Sequence, residues 1–427
     1  MKKDAAVEQC DAKNAYLNAH LELGIDIYME LPPLYHNYQK LPPPLENKPC
    51  VICKLLIPLY GTKQGAHDWY QKVKKMFGEL EYMMLEADEA VFFKIEEEKY
   101  TIIVCATNDF TIIAESTESA ALIKKEFGKH FEVVDLGEIS WLLGVKISCD
   151  HKAQTILLSQ GSYIKEIISH FGLKNAHTIV TPMEAGINLL PDSLAVSSTL
   201  LTPAKKTKFH KMIGSLIYAS MMTCPDITYA VSTLSQYLKA PWTTHINTVT
   251  CVFQYLLTTK DYKLVIRGKH ATIDRYLDAD WASQSHCHSI SSFAYFVGHG
   301  VISWSSKKQP IITFSSTEAE YVALMHASKD ILWIQGLLAD LASNFSYRIP
   351  TPLYCDNKGT IQLSKNATFH RQTKNIDIHF HFIWKTVTTG CIKLHHCPTA
   401  NMIADIFTKS LTCVKFQKFR ALLGLKN

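Results

Sequence analysis

The sequence predicts a multidomain protein of mixed α+β and α/β class. Its 427 residues leave room for about three domains of ordinary size. The hydrophobic period changes along the chain. Two β-branched runs around Asn108-Asp109 read as a hairpin, whereas residues 210–261 repeat apolar side chains at helical spacing. In the last third, strand and helix signals alternate, and four of these elements carry or end in an acid among apolar neighbours.

Composition narrows the classes. With 47% apolar and 19% charged residues the chain can bury proper cores, which excludes global disorder. There is no run of 18 apolar residues, and Met1-Lys2-Lys3-Asp4 leads into polar sequence, so neither a membrane span nor a secretory signal is legible. The 12 cysteines read as reduced thiols of a cytosolic or nuclear protein. A net charge of +5 permits nucleic-acid binding without arguing for it.

Residues 7–17 precede Ile25–Leu31, an alternating strand that stops at Pro32-Pro33. Taken alone, Asp11 reads as a helix N-cap. After the proline-rich Leu41–Pro44 and the run Leu59–Tyr70, Thr101–Ala114 forms the hairpin, with Asn108 and Asp109 at its tip. Gln160–His170 is an amphipathic helix closed by Gly172, and residues 183–205, Ser/Thr/Pro-rich and aperiodic, are a linker. The helical segment 210–261 is assigned packing and no chemistry.

The acids come next. Asp278 and Asp280 lie two apart on the short strand Tyr276–Trp281, hence on one face. Glu320 follows the helix-start signal Ser315-Ser316-Thr317, Asp356 ends the apolar strand Pro352–Cys355, and Asp405 sits on the helix-like run Met402–Phe407. Burying carboxylates is costly unless a cation shares them. Rigid elements that each deliver one oxygen ligand suit two Mg²⁺ ions about 3.5–4 Å apart. His379, His381, His395 and His396 suggest zinc, but exposed strand faces explain them better.

The words around those acids resemble the ribonuclease H domain of copia-type retrotransposon Pol polyproteins. They stand here as Leu277–Ala282, Ser315–Tyr321, Cys355-Asp356-Asn357 and Ala404–Lys409, with successive acids separated by 42, 36 and 49 positions. The resemblance implies that Asp278, Glu320, Asp356 and Asp405 are the catalytic, metal-binding acids. Trp304–Pro310 resembles a family hairpin whose Lys307 and Lys308 would touch phosphate, and Phe369–Asp377 a further, eroded family word. Upstream, Asp11 and Tyr16 resemble the first motif of the family's reverse transcriptase, in which the acid binds metal and the aromatic screens the nucleotide sugar. Leu59–Tyr70 resembles its nucleotide and template segment, through Gly61, Lys63 and Gln64. There Gly61 would allow close backbone approach, and Lys63 would meet phosphate. The hairpin tip stands where the family has two metal-binding aspartates. Asp109 is one, and Asn108 replaces the other with a neutral amide that cannot act as an anionic ligand.

The resemblance therefore implies a reverse transcriptase palm and thumb without fingers over 1–182, and a linker and helical connection over 183–263. A ribonuclease H-like mixed sheet with helices follows over 264–412, and a basic tail over 413–427. It implies Mg²⁺ or Mn²⁺ as cofactor. Expected partners are RNA–DNA hybrid, DNA and RNA, with other transposon-encoded proteins and no membrane. The expected activities are an impaired polymerase and a ribonuclease H with its acid set intact. The alternative is a catalytically inactive transposon relic that at most binds nucleic acid.

Overall fold

The computed structural model describes residues 5–21, 26–30, 52–96, 99–189, 199–268, 273–284, 287–341, 350–365 and 377–427. Outside them lie Ile25, Leu31, the proline-rich stretch 41–44, residues 190–198 of the linker, Lys269, His270 and the family word from Phe369 to Ile376. The side chains of Asp377 and His379 are likewise outside. The chain forms two compact units, Met1–Ile139 and Ser140–Asn427.

The first unit runs β1 (Ala6–Ala12), β2 (Tyr28–Glu30), β3 (Ile52–Lys54), α1 (Lys63–Glu79), β4 (Met83–Met84), β5 (Val91–Glu96), β6 (Lys99–Ala106), β7 (Asp109–Ala114), α2 (Thr117–Phe127) and β8 (Val133–Glu138). Its antiparallel sheet has the order β4-β5-β6-β7-β1-β8. Helix α1 starts where the Thr62 hydroxyl accepts the Gly65 N–H at 3.2 Å. Its Trp69, Val73, Met76 and Phe77 recur at helical spacing and pack in one core with Phe92, Ile103, Phe110 and Phe127. Helix α2 is capped by Ser116, with Glu118 in its first turn and Lys124 and Lys125 in its last, as the helix dipole favours. Asp11 lies inside β1 and caps no helix.

The second unit runs β9 (Trp141–Leu142), β10 (Val145–Asp150), β11 (Thr155–Ser159), α3 (Gly161–His170), α4 (Pro203–Met222), α5 (Thr228–Ser235), α6 (Thr243–Thr259), β12 (Lys263–Arg267), β13 (Ile273–Asp280), β14 (Ile290–Val297), β15 (Gly300–Lys308), α7 (Ser316–Leu341), β16 (Thr351–Cys355), α8 (Lys358–Lys365), α9 (Asp377–Thr388), β17 (Ile392–His396), α10 (Cys413–Leu422) and β18 (Leu425–Lys426). One sheet, β18-β12-β11-β10-β9, joins residues 141–159 to strands from beyond residue 260. Packing therefore divides the chain after Ile139, because β11 finds its partner in β12.

The other sheet has the order β15-β14-β13-β16-β17. Its first three strands are antiparallel, and β16 and β17 run parallel to β13 and to each other. This is a mixed sheet, as the sequence predicts for this region. Helix α7 packs on β13 and β14 through Tyr321, Val322, Leu324 and Met325. Lys307 and Lys308 lie within β15 and not at a turn, and His381 lies on α9 and not on a strand. No helix among the described residues is long and apolar enough to cross a membrane.

One buried polar cluster ties α10 to α6. Tyr255 on α6 donates its hydroxyl hydrogen to Asp226 and accepts from Arg420 Nη1 on α10 at 3.2 Å. Burial pushes the Asp226 carboxyl up to about 6, against the opposing pull of Tyr255 and Arg420. The folded value exceeds the ordinary 3.8, so the native state holds the proton more tightly, and stability falls as pH rises from about 4 to about 6. Asp226→Asn keeps an acceptor for Tyr255. It is expected to flatten that slope and to raise stability at pH 7 by roughly 2 kcal/mol. Denaturant unfolding at pH 4 and pH 7 measures both; a variant with the wild-type slope refutes the account.

Candidate active sites

In the first unit, antiparallel pairing sets Asp11 opposite Asp109. The loop between β6 and β7 consists of Thr107 and Asn108, with Thr107 at φ +60°. Two contacts fix it: Trp69 Nε1 donates to the Thr107 carbonyl at 2.6 Å, and the Ala12 N–H donates to the Asn108 carbonyl at 2.8 Å. Asn108 Nδ2 donates to Asp11 Oδ1. Burial and the neighbouring Asp11 raise the Asp109 carboxyl above its ordinary value. The structure thus brings Asp11, Asn108 and Asp109 together, with the amide engaging one of the two acids.

Tyr16 lies on a 3-10 turn, Ala15–Asn18, and stacks on Tyr60 with ring centroids 4.7 Å apart. Gly61 has φ +92°, which favours glycine there, and no protein atom lies near its missing side chain. Gly65 is crowded from within the protein: a Cβ would meet the Leu59 carbonyl at 2.9 Å and the Tyr16 ring at 3.3 Å. Lys63 and Gln64 open α1. His20, His67, Lys72, Lys75 and His130 share a groove along α1, together with acidic Asp68 and Glu79.

In the second unit four elements deliver the expected acids. Asp278 on β13 is 3% exposed, Glu320 on α7 4%, and Asp405 fully buried, while Asp356 follows β16 and is half-buried. Helix α7 begins where the Ser315 hydroxyl accepts the Glu318 N–H at 3.2 Å. That start places Glu320 against β13, where the Ala279 N–H donates to its Oε1 at 3.0 Å. Asn357 caps α8 by accepting the Thr360 N–H at 3.1 Å, and Thr399 donates to Asp356 Oδ2 at 2.7 Å. Asp405 rides on a five-residue 3-10 helix, Ile403–Phe407, tighter than an α-helical run. The Ser292 hydroxyl anchors this helix to β14 by donating to the Ala404 carbonyl at 3.0 Å.

The electrostatics are those of crowded carboxylates. Burial first, then Asp405, pushes Asp278 up to about 7, although Lys409 and the Thr408 hydroxyl, 2.5 Å from Asp278 Oδ2, favour its charged form. Burial, Asp278 and Asp356 hold Glu320 well above its ordinary value. One potential ligand atom each from Glu320, Cys355 and Asp356 lies within 4.8 Å of the others. Burial and Glu320 push the Cys355 thiol well above its usual range, while a hard divalent cation favours the carboxylate oxygens as ligands. Such a buried, oxygen-rich and like-charged set fits a hard divalent cation.

Two lysines without a sequence-assigned role complete this site. Lys409 Nζ lies 2.9 Å from Asp405 Oδ1 and 4.0 Å from Asp278 Oδ2, and Lys415 Nζ lies 2.5 Å from Asp405 Oδ2. The spacing of Lys409, four residues after Asp405, was a usable signal. Lys415 belongs to a separate helix and had none. Asp280, half-buried on the same strand, is raised chiefly by burial.

The fold fits a fragment of a transposon Pol polyprotein that carries a reverse transcriptase domain. Residues 1–185 match the family described as reverse transcriptase (RNA-dependent DNA polymerase). The retrovirus-related Pol polyprotein from transposon TNT 1-94 of Nicotiana tabacum is 31% identical over 424 residues, which are 99% of this chain and 31% of that protein. The corresponding polyprotein from transposon RE2 of Arabidopsis thaliana is 30% identical over 421 residues, 98% of this chain and 28% of the relative. The chain belongs to this family of transposon Pol polyproteins and spans about a third of the length of those relatives. The solved N-terminal RNase H domain of a Mycobacterium tuberculosis protein aligns with 35% of this chain and 98% of its own, at 14% identity and a TM-score of 0.23.

Proposed function

We propose that the region 264–412 hydrolyses the RNA strand of RNA–DNA hybrids, using Mg²⁺ or Mn²⁺ held by Asp278, Glu320, Asp356 and Asp405. The observation that carries this reading is the convergence of these acids, from four separate elements, on one largely buried cluster. When bound, a divalent cation supplies positive charge that activates water and neutralises the phosphate in transit. The chain's own groups prepare the site. Thr408 orients Asp278, the Ala279 N–H fixes Glu320, and Thr399 holds Asp356. An A-form hybrid would be recognised through its backbone and 2′-hydroxyls. In this reading residues 1–182 are polymerase palm and thumb, 183–263 linker and connection, and 413–427 a basic tail. DNA and RNA are the partners, through Tyr16, Gly61, Lys63 and Gln64 in the first unit.

For the polymerase half, the inactive reading is favoured, because Asn108 replaces a charged ligand and its amide engages Asp11. The test is the full chain with Mg²⁺ on an end-labelled hybrid. The expected outcome is cleavage of the RNA strand well above that of Asp356→Asn, and no primer extension. Cleavage no greater than that control ends the nuclease proposal, and template-dependent extension ends the polymerase one.

A further inference from the structure

Asp405 is fully buried, yet an ammonium group sits at each of its oxygens, Lys409 on Oδ1 at 2.9 Å and Lys415 on Oδ2 at 2.5 Å. Lys409 also reaches Asp278 Oδ2 at 4.0 Å, so it lies between the two carboxylates. On the other side of the cluster, Glu320 and Asp356 have no lysine within ion-pair distance among the described residues, and their ligand atoms already lie within 4.8 Å of each other. The cluster is therefore asymmetric, with one half neutralised internally and the other not.

We propose that Lys409, backed by Lys415, serves as a built-in cation at the Asp278–Asp405 side. The protein then takes up one divalent ion readily, on the Glu320–Asp356 side, and a second only when Lys409 is displaced. This deepens the site assigned above and rests on that reading. Lys415 is suited to a fixed role. It sits in the first turn of α10, 5.3 Å above the Phe419 ring, and α10 is itself anchored by Arg420 to Tyr255 and Tyr262. The two lysines are exposed to a similar extent, but Lys409 follows a short 3-10 helix and not a packed α-helix, so it is the lysine able to swing away. A second dication placed beside it would meet like charge at close range, which weakens binding steeply in a poorly solvated site.

The test is Mn²⁺ titration of the full chain without nucleic acid, followed by the paramagnetic resonance of free Mn²⁺. The expected result is one tight equivalent for the wild type and a much weaker second. In Lys409→Met, which leaves Lys415 to balance Asp405, the second equivalent is expected to tighten at least about tenfold. In Lys409→Arg it stays weak. A thermal melt in chelator confirms that each variant is folded, and Lys409→Arg keeps the comparison meaningful if Lys409→Met is not. Two equally tight equivalents in the wild type, or a second equivalent that Lys409→Met does not change, overturns the inference and leaves the nuclease reading intact. No Mn²⁺ uptake by any folded form overturns both.

Discussion

Asp278→Asn is expected to lower metal-dependent hybrid cleavage by about 10³-fold or more while raising the stability of the second unit. The loss follows from removing an anionic ligand shared across the cluster, whose charge stabilisation is worth several kcal/mol, and about 4 kcal/mol corresponds to 10³ in rate. The gain follows from burial. Asp278 is 3% exposed and is pushed up to about 7 by desolvation and by Asp405, so at neutral pH its ionised form opposes folding. Asparagine keeps an acceptor for the Thr408 hydroxyl and removes the charge, and a carboxyl raised from 3.8 to about 7 opposes folding at neutral pH by up to about 4 kcal/mol. Single-turnover cleavage and a melt in chelator test the two halves. A variant that loses both activity and stability would show Asp278 to be a structural anchor, and one that keeps activity would end its catalytic assignment. Opposite signs are the mark of a site maintained against the fold's own preference.

Phe77→Ala is expected to destabilise the first unit by about 3–5 kcal/mol, a large part of the total stability of an ordinary domain. Phe77 is fully buried on α1, and its ring meets four others: Tyr82 at 5.5 Å, Phe92 at 4.3 Å, Phe110 at 6.2 Å and Phe127 at 5.4 Å. The substitution removes those pairings and leaves a cavity bounded by both helices and the sheet, so little can collapse into it. Amide hydrogen exchange in β6 and β7 reads the loss within this unit. Protection unchanged in those strands would show that α1 is not what holds the sheet. The same core supports the hairpin tip through Trp69, so β7 and the Asn108 loop are expected to loosen together.

Much of the fold of residues 264–412 was legible because its signals are local. Alternation over Tyr276–Trp281, the serine cap before Glu320 and the apolar run into Asp356 each specify an element without reference to the rest of the chain. The hairpin around Asn108 was equally plain, since β-branched runs bounded a polar pair. Three features were not legible. The strand partnership of 155–159 with 263–267 depends on pairing across about a hundred residues, and no local pattern encodes it. The 3-10 form of Ile403–Phe407 shares its apolar spacing with an α-helical turn. The crowding of Gly65 by Leu59 and Tyr16 depends on which segments pack against the start of α1, which no local pattern announces.

By itself the sequence determined which side chains are the candidates for chemistry, because residue type and local period fix charge, ligand hardness and the element that bears each acid. It also determined that Asn108 cannot stand in for a carboxylate, a matter of covalent structure that no fold can change. Only the tertiary structure decided how those charges are balanced. Lys409 and Lys415 come to Asp405 from different elements, Asp278 is buried beside its own kind, and Asn108 turns its amide onto Asp11. Electrostatic energy depends on distance and on exclusion from water, and both are set by packing between segments far apart in the chain.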